Sequence, residues 1–330
     1  MVPVMLGDLM SVLSATAIIL NLVLLPLIAF KSGKDIGSYK VLLFFYSCVA
    51  IIHTSVTLLL VPVFEPSEKG WLFYATVPRV GRELGSWLFC IFATCYIKLL
   101  LILTYSFVYR YFVMCSPQKL IWFHHSIRIA TLVFLYLVII FCCAGPVYSY
   151  MRLNGEIAAS FNSTGGTQIE DDLYVELDKV AYIGSPMMRN GHLVMETAYI
   201  LLVYTIAILC STAVCFFCIV RIIQAFRTTA RIAIENPSFH KLQQRLFILL
   251  VLQTMVPLIF TFVPALLSYV LAYLGTHAPI MSQVSSAFMP MAQLIDPILI
   301  FSFIGEYRRG LKNIFKKIVS RQTSYTVPIA

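Results

Sequence analysis

The chain has 330 residues, 60% of them hydrophobic and only 12% charged, about half the charged share of an ordinary soluble domain. A water-soluble core has no room for so much apolar surface, and the bilayer is its natural solvent. The formal charge of +9 does not point to nucleic acid, because the basic residues stand at the ends of apolar runs instead of forming one patch.

A hydrocarbon core of about 30 Å takes roughly 20 apolar residues in a helix. Seven stretches meet that requirement: 9–30, 41–64, 85–113, 127–148, 193–220, 246–274 and 280–304. The first lacks a basic leader and outruns the roughly 7–15-residue apolar stretch of a cleaved signal peptide, so it reads as a retained signal-anchor helix. The last is interrupted by Pro290 and Pro297, which a membrane helix tolerates when neighbours satisfy the freed carbonyls. The runs are too long and continuous for the alternating segments of a β-barrel. The expected fold is an all-α seven-transmembrane helix bundle over 1–304, with a cytoplasmic tail over 305–330. In that tail Ile304, Tyr307, Leu311, Ile314, Phe315 and Ile318 keep helical spacing, while Arg308, Arg309, Lys312, Lys316 and Lys317 fill the other face. This pattern predicts a short amphipathic helix on an anionic membrane surface.

Loop charges set the orientation. Seventeen of the 24 basic residues fall in the tail and one set of loops, against six in the opposite set. The richer side is cytoplasmic, which puts the N-terminus outside. The long loop from Tyr150 to Gly191 is then external, and Asn162-Ser163-Thr164 within it is a glycosylation sequon on the correct side. None of the nine cysteines lies in that loop, and no CxxC pair occurs. A zinc site and a disulfide framework are both unsupported.

Polar residues inside spans are costly and are functional suspects. Lys98 lies mid-way along the third span and Asp296 in the inner half of the seventh. At about 1.5 Å per residue their depths are close enough to predict an ion pair. A hydrogen bond to Asn21 in the first span, or capping of backbone freed by Pro297, are the rival arrangements for Asp296. His53 in the second span reads as a packed interior histidine, since metal needs further ligands at suitable spacing. Pro257 and Pro264 fall seven apart, nearly on one face of the sixth span. With Pro297 they are candidate hinge positions. No GxSxG, HExxH or Walker loop occurs, so an enzyme is not indicated, and no cofactor is implied.

Several short motifs keep a familiar order. They are Gly37-Ser38-Tyr39-Lys40, Tyr109-Arg110-Tyr111-Phe112 followed by Ser116-Pro117-Gln118-Lys119-Leu120, Leu242-Gln243-Gln244-Arg245-Leu246-Phe247 leading to Gln253-Thr254 and Pro257, and Asp296-Pro297-Ile298-Leu299-Ile300-Phe301 with Tyr307-Arg308. In this order and membrane placement they resemble the nematode seven-transmembrane chemoreceptors, or serpentine receptors, of the Str superfamily, close to the Str and Srj classes. The resemblance covers nearly the whole chain. It implies a G-protein-coupled chemosensory receptor of olfactory type in the ciliary membrane of a sensory neuron. The implied partners are membrane lipid, a heterotrimeric G protein and a small odorant or pheromone-like ligand. Tyr109-Arg110-Tyr111 resembles the arginine motif closing the third helix of rhodopsin-like receptors, and Asp296-Pro297 their Asn-Pro motif. Two departures stand out: no acid precedes Arg110, and the second outer loop has no cysteine to bond the third helix.

Depth and polarity nominate Tyr96, Glu196, Tyr199, Tyr269, Tyr273, Gln283 and Met289 as ligand-pocket candidates between the outer halves of spans three, five, six and seven. Arg110, Tyr111, Arg227, Lys241, Arg245 and Arg308 are the coupling candidates at the inner mouth. A ligand-gated channel and a small-solute transporter are the rival functions. The first, in its insect form, has the N-terminus inside, and the second would show an internal repeat.

Overall fold

The computed structural model describes residues 2–32, 39–67, 70–116, 118, 134, 137–142, 145–151, 179–186, 188–189, 192–228, 237–274, 276, 279–313 and 316. The fold is a seven-transmembrane helix bundle. The helices are α1 (Val2–Lys31), α2 (Tyr39–Leu60), α3 (Arg82–Cys115), α4 (Leu137–Met151), α5 (Met195–Thr228), α6 (Pro237–Tyr273) and α7 (Pro279–Phe303). Six of them are long and apolar enough to cross a membrane. The seventh, α4, is shorter and covers the described part of the expected span 127–148, half of which lies outside the described residues. Asn162 also lies outside them.

Helix α1 packs between α2 and α7, α2 packs on α3, α3 on α5, and α6 on α7. The side chains turned away from these contacts are large and apolar, as at Phe30, Phe45, Phe141 and Phe216. Such faces suit hydrocarbon rather than water. Two buried clusters occupy opposite ends of the bundle. One gathers around Leu60, Phe89, Phe92 and Leu201. The other gathers around Leu24, Tyr39, Leu249, Ile300 and Tyr307.

The second span was expected to run to residue 64, but α2 stops at Leu60. Pro62 disfavours helical geometry at the residue before it. Val61 accordingly turns the chain with φ of 45°, an uncommon and costly conformation for a β-branched residue. Its neighbours hold it there: its N–H donates to Thr57 O at 2.8 Å, and its carbonyl accepts from Thr76 N and Oγ1 at 3.3 and 3.1 Å.

The apolar residues beyond that turn are strands, not helix. β1 (Pro62–Ser67), β2 (Gly70–Ala75) and β3 (Tyr182–Pro186) form an antiparallel sheet in the order β1-β2-β3. The register sets Phe64 opposite Phe73, Trp71 opposite Ser185 and Phe73 opposite Ile183. Side chains alternate across a strand, so Phe64, Trp71, Phe73 and Ile183 share one face. Val63, Glu65, Leu72, Tyr74 and Tyr182 share the other, and these are also buried. Burial, with Glu65 nearby, pushes the Tyr74 hydroxyl well above its ordinary pKa. Two further short strands, β4 (Met188–Arg189) and β5 (His192–Leu193), pair just before α5.

Within α6, the residues between the two prolines form a π-helical turn, Leu258–Phe262, with Val263 N–H bonded to Leu258 O. Pro257 and Pro264 each remove a helical donor, and the wider turn between them absorbs the mismatch. After α7 a helix, α8, runs over 305–313. Tyr307 is fully buried, whereas Arg308, Arg309 and Lys312 are exposed. A Cβ on Gly310 would come within 2.6 Å of Leu27 Cδ2, so α8 lies tight on the end of α1. The Tyr307 hydroxyl is 2.6 Å from Ser32 Oγ. The amphipathic expectation is met over this stretch, while Ile314, Phe315 and Ile318 lie outside the described residues.

Candidate functional site

The aromatic face of the sheet closes one end of the bundle over a cavity of about 60 Å³. The sheet contributes Trp71, Phe73 and Ile183, and α3 contributes Phe89, Phe92, Ala93 and Tyr96. Val147 and Met151 come from α4, Ile200, Leu201 and Tyr204 from α5, and Met289 from α7. Among the described residues, no charged side chain lines it. A concave site lined by aromatic rings with few polar groups is the usual form of a small-molecule site.

The sheet is fastened to helices all round. Ala75 N donates to Ala181 O at 2.8 Å, and Phe64 N donates to Ser286 Oγ on α7 at 3.2 Å. Thr197 on α5 donates to Pro186 O at 2.8 Å and also bonds the Ser185 hydroxyl. Arg79 donates to Leu58 O on α2 and to Ser11 Oγ on α1. At the start of α3, Gly85 leaves room for Ala181: a Cβ there would lie 2.2 Å from the Ala181 Cβ. Ala181 is thus tied to β2 by a backbone bond and to α3 by a close glycine contact. Every described cysteine is free.

Of the seven pocket candidates, Tyr96 and Met289 line the cavity. Glu196 and Tyr199 do not, because the inward face of α5 is that of Ile200, Leu201 and Tyr204, leaving both exposed. Gln283 is half-buried away from the cavity. The side chains of Tyr269 and Tyr273 lie outside the described residues. The sheet residues Trp71, Phe73 and Ile183 were missed altogether. Their signal was two apolar, aromatic runs around a short polar stretch ending at Gly70, a hairpin pattern.

Below this cavity lies a second of about 20 Å³, lined by Tyr46, Tyr96, Thr261, Phe262 and Gln293 among others. Tyr96 faces both and meets Phe262 of the π turn edge-on at 5.2 Å. The smaller space exceeds the roughly 10–15 Å³ that one water needs. Among the described residues, Thr261 Oγ1 and Gln293 Oε1 have no hydrogen-bond partner there.

The intramembrane polar residues pair differently from expectation. Asp296 accepts a hydrogen bond from the Tyr46 hydroxyl. Lys98 does not reach it; its side chain is half-buried on another face of α3. Equal depth was necessary for that pair but said nothing of direction around the helix axis. Asn21 donates to Ala17 O at 2.9 Å and to Gln293 O at 3.4 Å, one turn from Asp296. His53 is buried and stacks on Phe92 at 4.7 Å, with neither ring nitrogen bonded among the described residues. No group of three or more metal-binding side chains comes together among the described residues.

At the opposite end, Arg110 is 2% exposed. Its Nη1 donates to Gln243 Oε1 on α6 at 2.6 Å, and its guanidinium lies 4.1 Å from the ring centre of Tyr39 on α2. Nε and Nη2 have no hydrogen-bond partner among the described residues. One helix end thus ties spans two, three and six through a single buried cation. Gln243 and Tyr39 stand where an acid next to Arg110 would otherwise serve. Tyr111 is half-buried and packs against Phe217 of α5 with the rings tilted and their centres 5.8 Å apart. Arg227, Lys241, Arg245 and Arg308 are exposed around the same end.

Comparison with known proteins agrees with this architecture. Squid rhodopsin has the same fold, with a TM-score of 0.67 over 96% of this chain and 86% of its own, at 12% identity. Serpentine receptor class r-10 of Caenorhabditis elegans is 24% identical over 89% of this chain and 86% of its own length. The G-protein coupled receptor str-33 of the same organism is 20% identical over 91% and 88%. The family described as the serpentine type 7TM GPCR chemoreceptor Str matches residues 9–312, and the chain belongs to that family.

Proposed function

We propose that this chain is a chemosensory, olfactory-type receptor that binds a small external ligand and signals to a heterotrimeric G protein. The N-terminus and the sheet face outward, and the Arg110 end faces the cytoplasm, as the loop charges require. The ciliary membrane of a sensory neuron is its place of action, and Asn162 carries a glycan on the outer loop.

One observation supports this reading most: the aromatic cavity and the Arg110 contact share α3, and α6 touches α3 at both levels. Tyr96 of α3 borders the cavity and touches Phe262 in the π turn of α6. Further along the same two helices, Arg110 is bonded to Gln243. A ligand that moves Tyr96 presses on the turn between Pro257 and Pro264, where a helix bends most readily. The inner part of α6 then swings, Gln243 leaves Arg110, and Arg110 with Tyr111, Arg227, Lys241, Arg245 and Arg308 becomes available to the G protein. Pro297 allows α7 to follow. The ligand can drive this change only through a higher affinity for the open state.

The test is ligand-dependent GDP–GTP exchange on a Gα subunit in membranes holding the receptor. Exchange that rises with ligand and vanishes in Arg110→Ala is the expected result. A ligand-evoked current without any G protein would instead establish the channel.

A further inference from the structure

The sequence does contain one CxxC pair, contrary to the first reading: Cys215-Phe216-Phe217-Cys218, on α5. Both thiols are buried and free. They do not suit each other as a disulfide. Residues three apart on a helix stand about 5–6 Å apart at Cβ, beyond the roughly 3.5–4.5 Å that the bond requires. Cys215 is moreover turned to α3, where its thiol lies 3.9 Å from Thr104 Oγ1.

The better partner for Cys218 is on α3. Cys115 is the last residue of that helix, half-buried and also free. With Tyr111 and Met114 it packs against the buried cluster that holds Cys218 and Ile222. Its thiol donates to Arg221 O on α5 at 3.5 Å. Arg221 follows Cys218 by three residues, so the two share one side of α5. Cys115 also lies within electrostatic reach of the Cys218 thiol. A half-buried thiol at the helix end thus stands over a buried one on the neighbouring helix.

This inference rests on the orientation proposed above, which puts Cys115 at the cytoplasmic surface. In that reducing compartment a disulfide is a reversible mark and not a permanent staple. We propose that Cys115 and Cys218 are a peroxide-responsive thiol pair, closing to a disulfide that ties α3 to α5 at the inner mouth. The Cys115 thiolate attacks hydrogen peroxide, the O–O bond breaks, and hydroxide leaves a sulfenic acid behind. The Cys218 thiolate then attacks that sulfur and expels the second hydroxide as the S–S bond forms. The two thiol protons complete two waters: peroxide is reduced and the thiol pair is oxidised. The link holds α3 and α5 at the spacing of the closed state, and so disfavours any state that parts them.

The full-length receptor in lipid nanodiscs, treated with hydrogen peroxide and digested without reductant, tests this by peptide mass spectrometry. A linked peptide holding Cys115 and Cys218 becomes the main form of both residues, and dithiothreitol releases it. Cys115→Ser abolishes the link and Cys215→Ser leaves it. The complete link raises the inactivation temperature, because it constrains the unfolded chain, and lowers ligand-driven nucleotide exchange about fivefold or more. The proposal is overturned if peroxide leaves Cys218 a free thiol or joins it to Cys215. It is overturned too if Cys115 passes to the sulfinic acid unlinked, or if the complete link moves neither temperature nor exchange. Mapping the wild type needs no variant, so misfolding of a serine variant leaves the test intact. A reduced receptor without any ligand-driven exchange would sink the signalling reading, and the mapped link with its thermal shift would still decide this one.

Discussion

The two ends of the bundle are held closed by different physics. At the sheet end, the backbone ladder of β1, β2 and β3, several side-chain hydrogen bonds and a close glycine contact tie the sheet and the Arg79 loop after β2 to α1, α2, α3, α5 and α7. At the Arg110 end, one side-chain hydrogen bond and one ring contact join spans two, three and six. Distributed contacts make a fixed cover, because no single one carries the whole load. A buried cation with two unmet nitrogens makes a contact that is inexpensive to break, since leaving it opens the guanidinium to water or a partner. On the proposed function, the cover resists change and the Arg110 contact is the latch that yields.

The comparison breaks first where the cover has a single tight point. Gly85→Ala places a methyl 2.2 Å from the Ala181 Cβ, and overpacking of this kind costs about 1–3 kcal/mol. With Ala181→Gly added, the nearest atom of residue 181 is its Cα at 3.7 Å, an ordinary contact. The single variant loses thermal stability in detergent and ligand response, and the double variant regains most of both. Failure of Ala181→Gly to rescue would mean that the sheet is not docked through this contact.

The latch end should respond differently, with altered activity and little loss of fold. Gln243→Leu removes the acceptor of Arg110 Nη1, a charged hydrogen bond worth about 1.5–3 kcal/mol. The closed state loses that term and the open state does not. Ligand-free nucleotide exchange should rise about tenfold or more, at nearly unchanged surface expression. Tyr39→Leu removes only the cation–π contact, worth about 0.5–2 kcal/mol, and should raise basal exchange less. If both variants stay silent without ligand, Arg110 is a packing residue and not a latch.

The difference between the ends also explains what the sequence disclosed. Hydrophobic runs exposed the spans because length and composition alone decide them. The positions of Pro257 and Pro264 located the altered turn of α6, although not its π geometry. Arg110 was legible as a candidate, but Gln243 was not legible as its partner, since that pairing depends on how α3 and α6 face each other. The sheet was hidden by its own hydrophobicity: Val61-Pro62-Val63-Phe64 read as the end of a membrane helix, although Pro62 argued against it. Glu196 and Tyr199 were chosen by depth, and depth leaves the azimuth of a side chain free. Ile200, one residue on, faces the cavity that Tyr199 does not.

The same gap between depth and azimuth gives the finest test, at the level between the two ends. Tyr46 bonds Asp296, and among the described residues the other carboxylate oxygen, Oδ1, has no hydrogen-bond partner. Tyr46→Phe therefore strips a buried carboxyl of its donor, at a cost of about 1–3 kcal/mol, seen as a lower inactivation temperature and reduced surface expression. Lys98 shares the depth and the opposite charge, yet it is half-buried elsewhere on α3. Lys98→Met should then change stability by no more than about 0.5 kcal/mol. The double variant tells the two arrangements apart. If Lys98 is independent, its effect is the same small one whether residue 46 is Tyr or Phe, because distant sites add. If Lys98→Met is harmless alone but severe beside Tyr46→Phe, the lysine swings to the aspartate when the tyrosine is lost, and the ion pair is a second state of this protein.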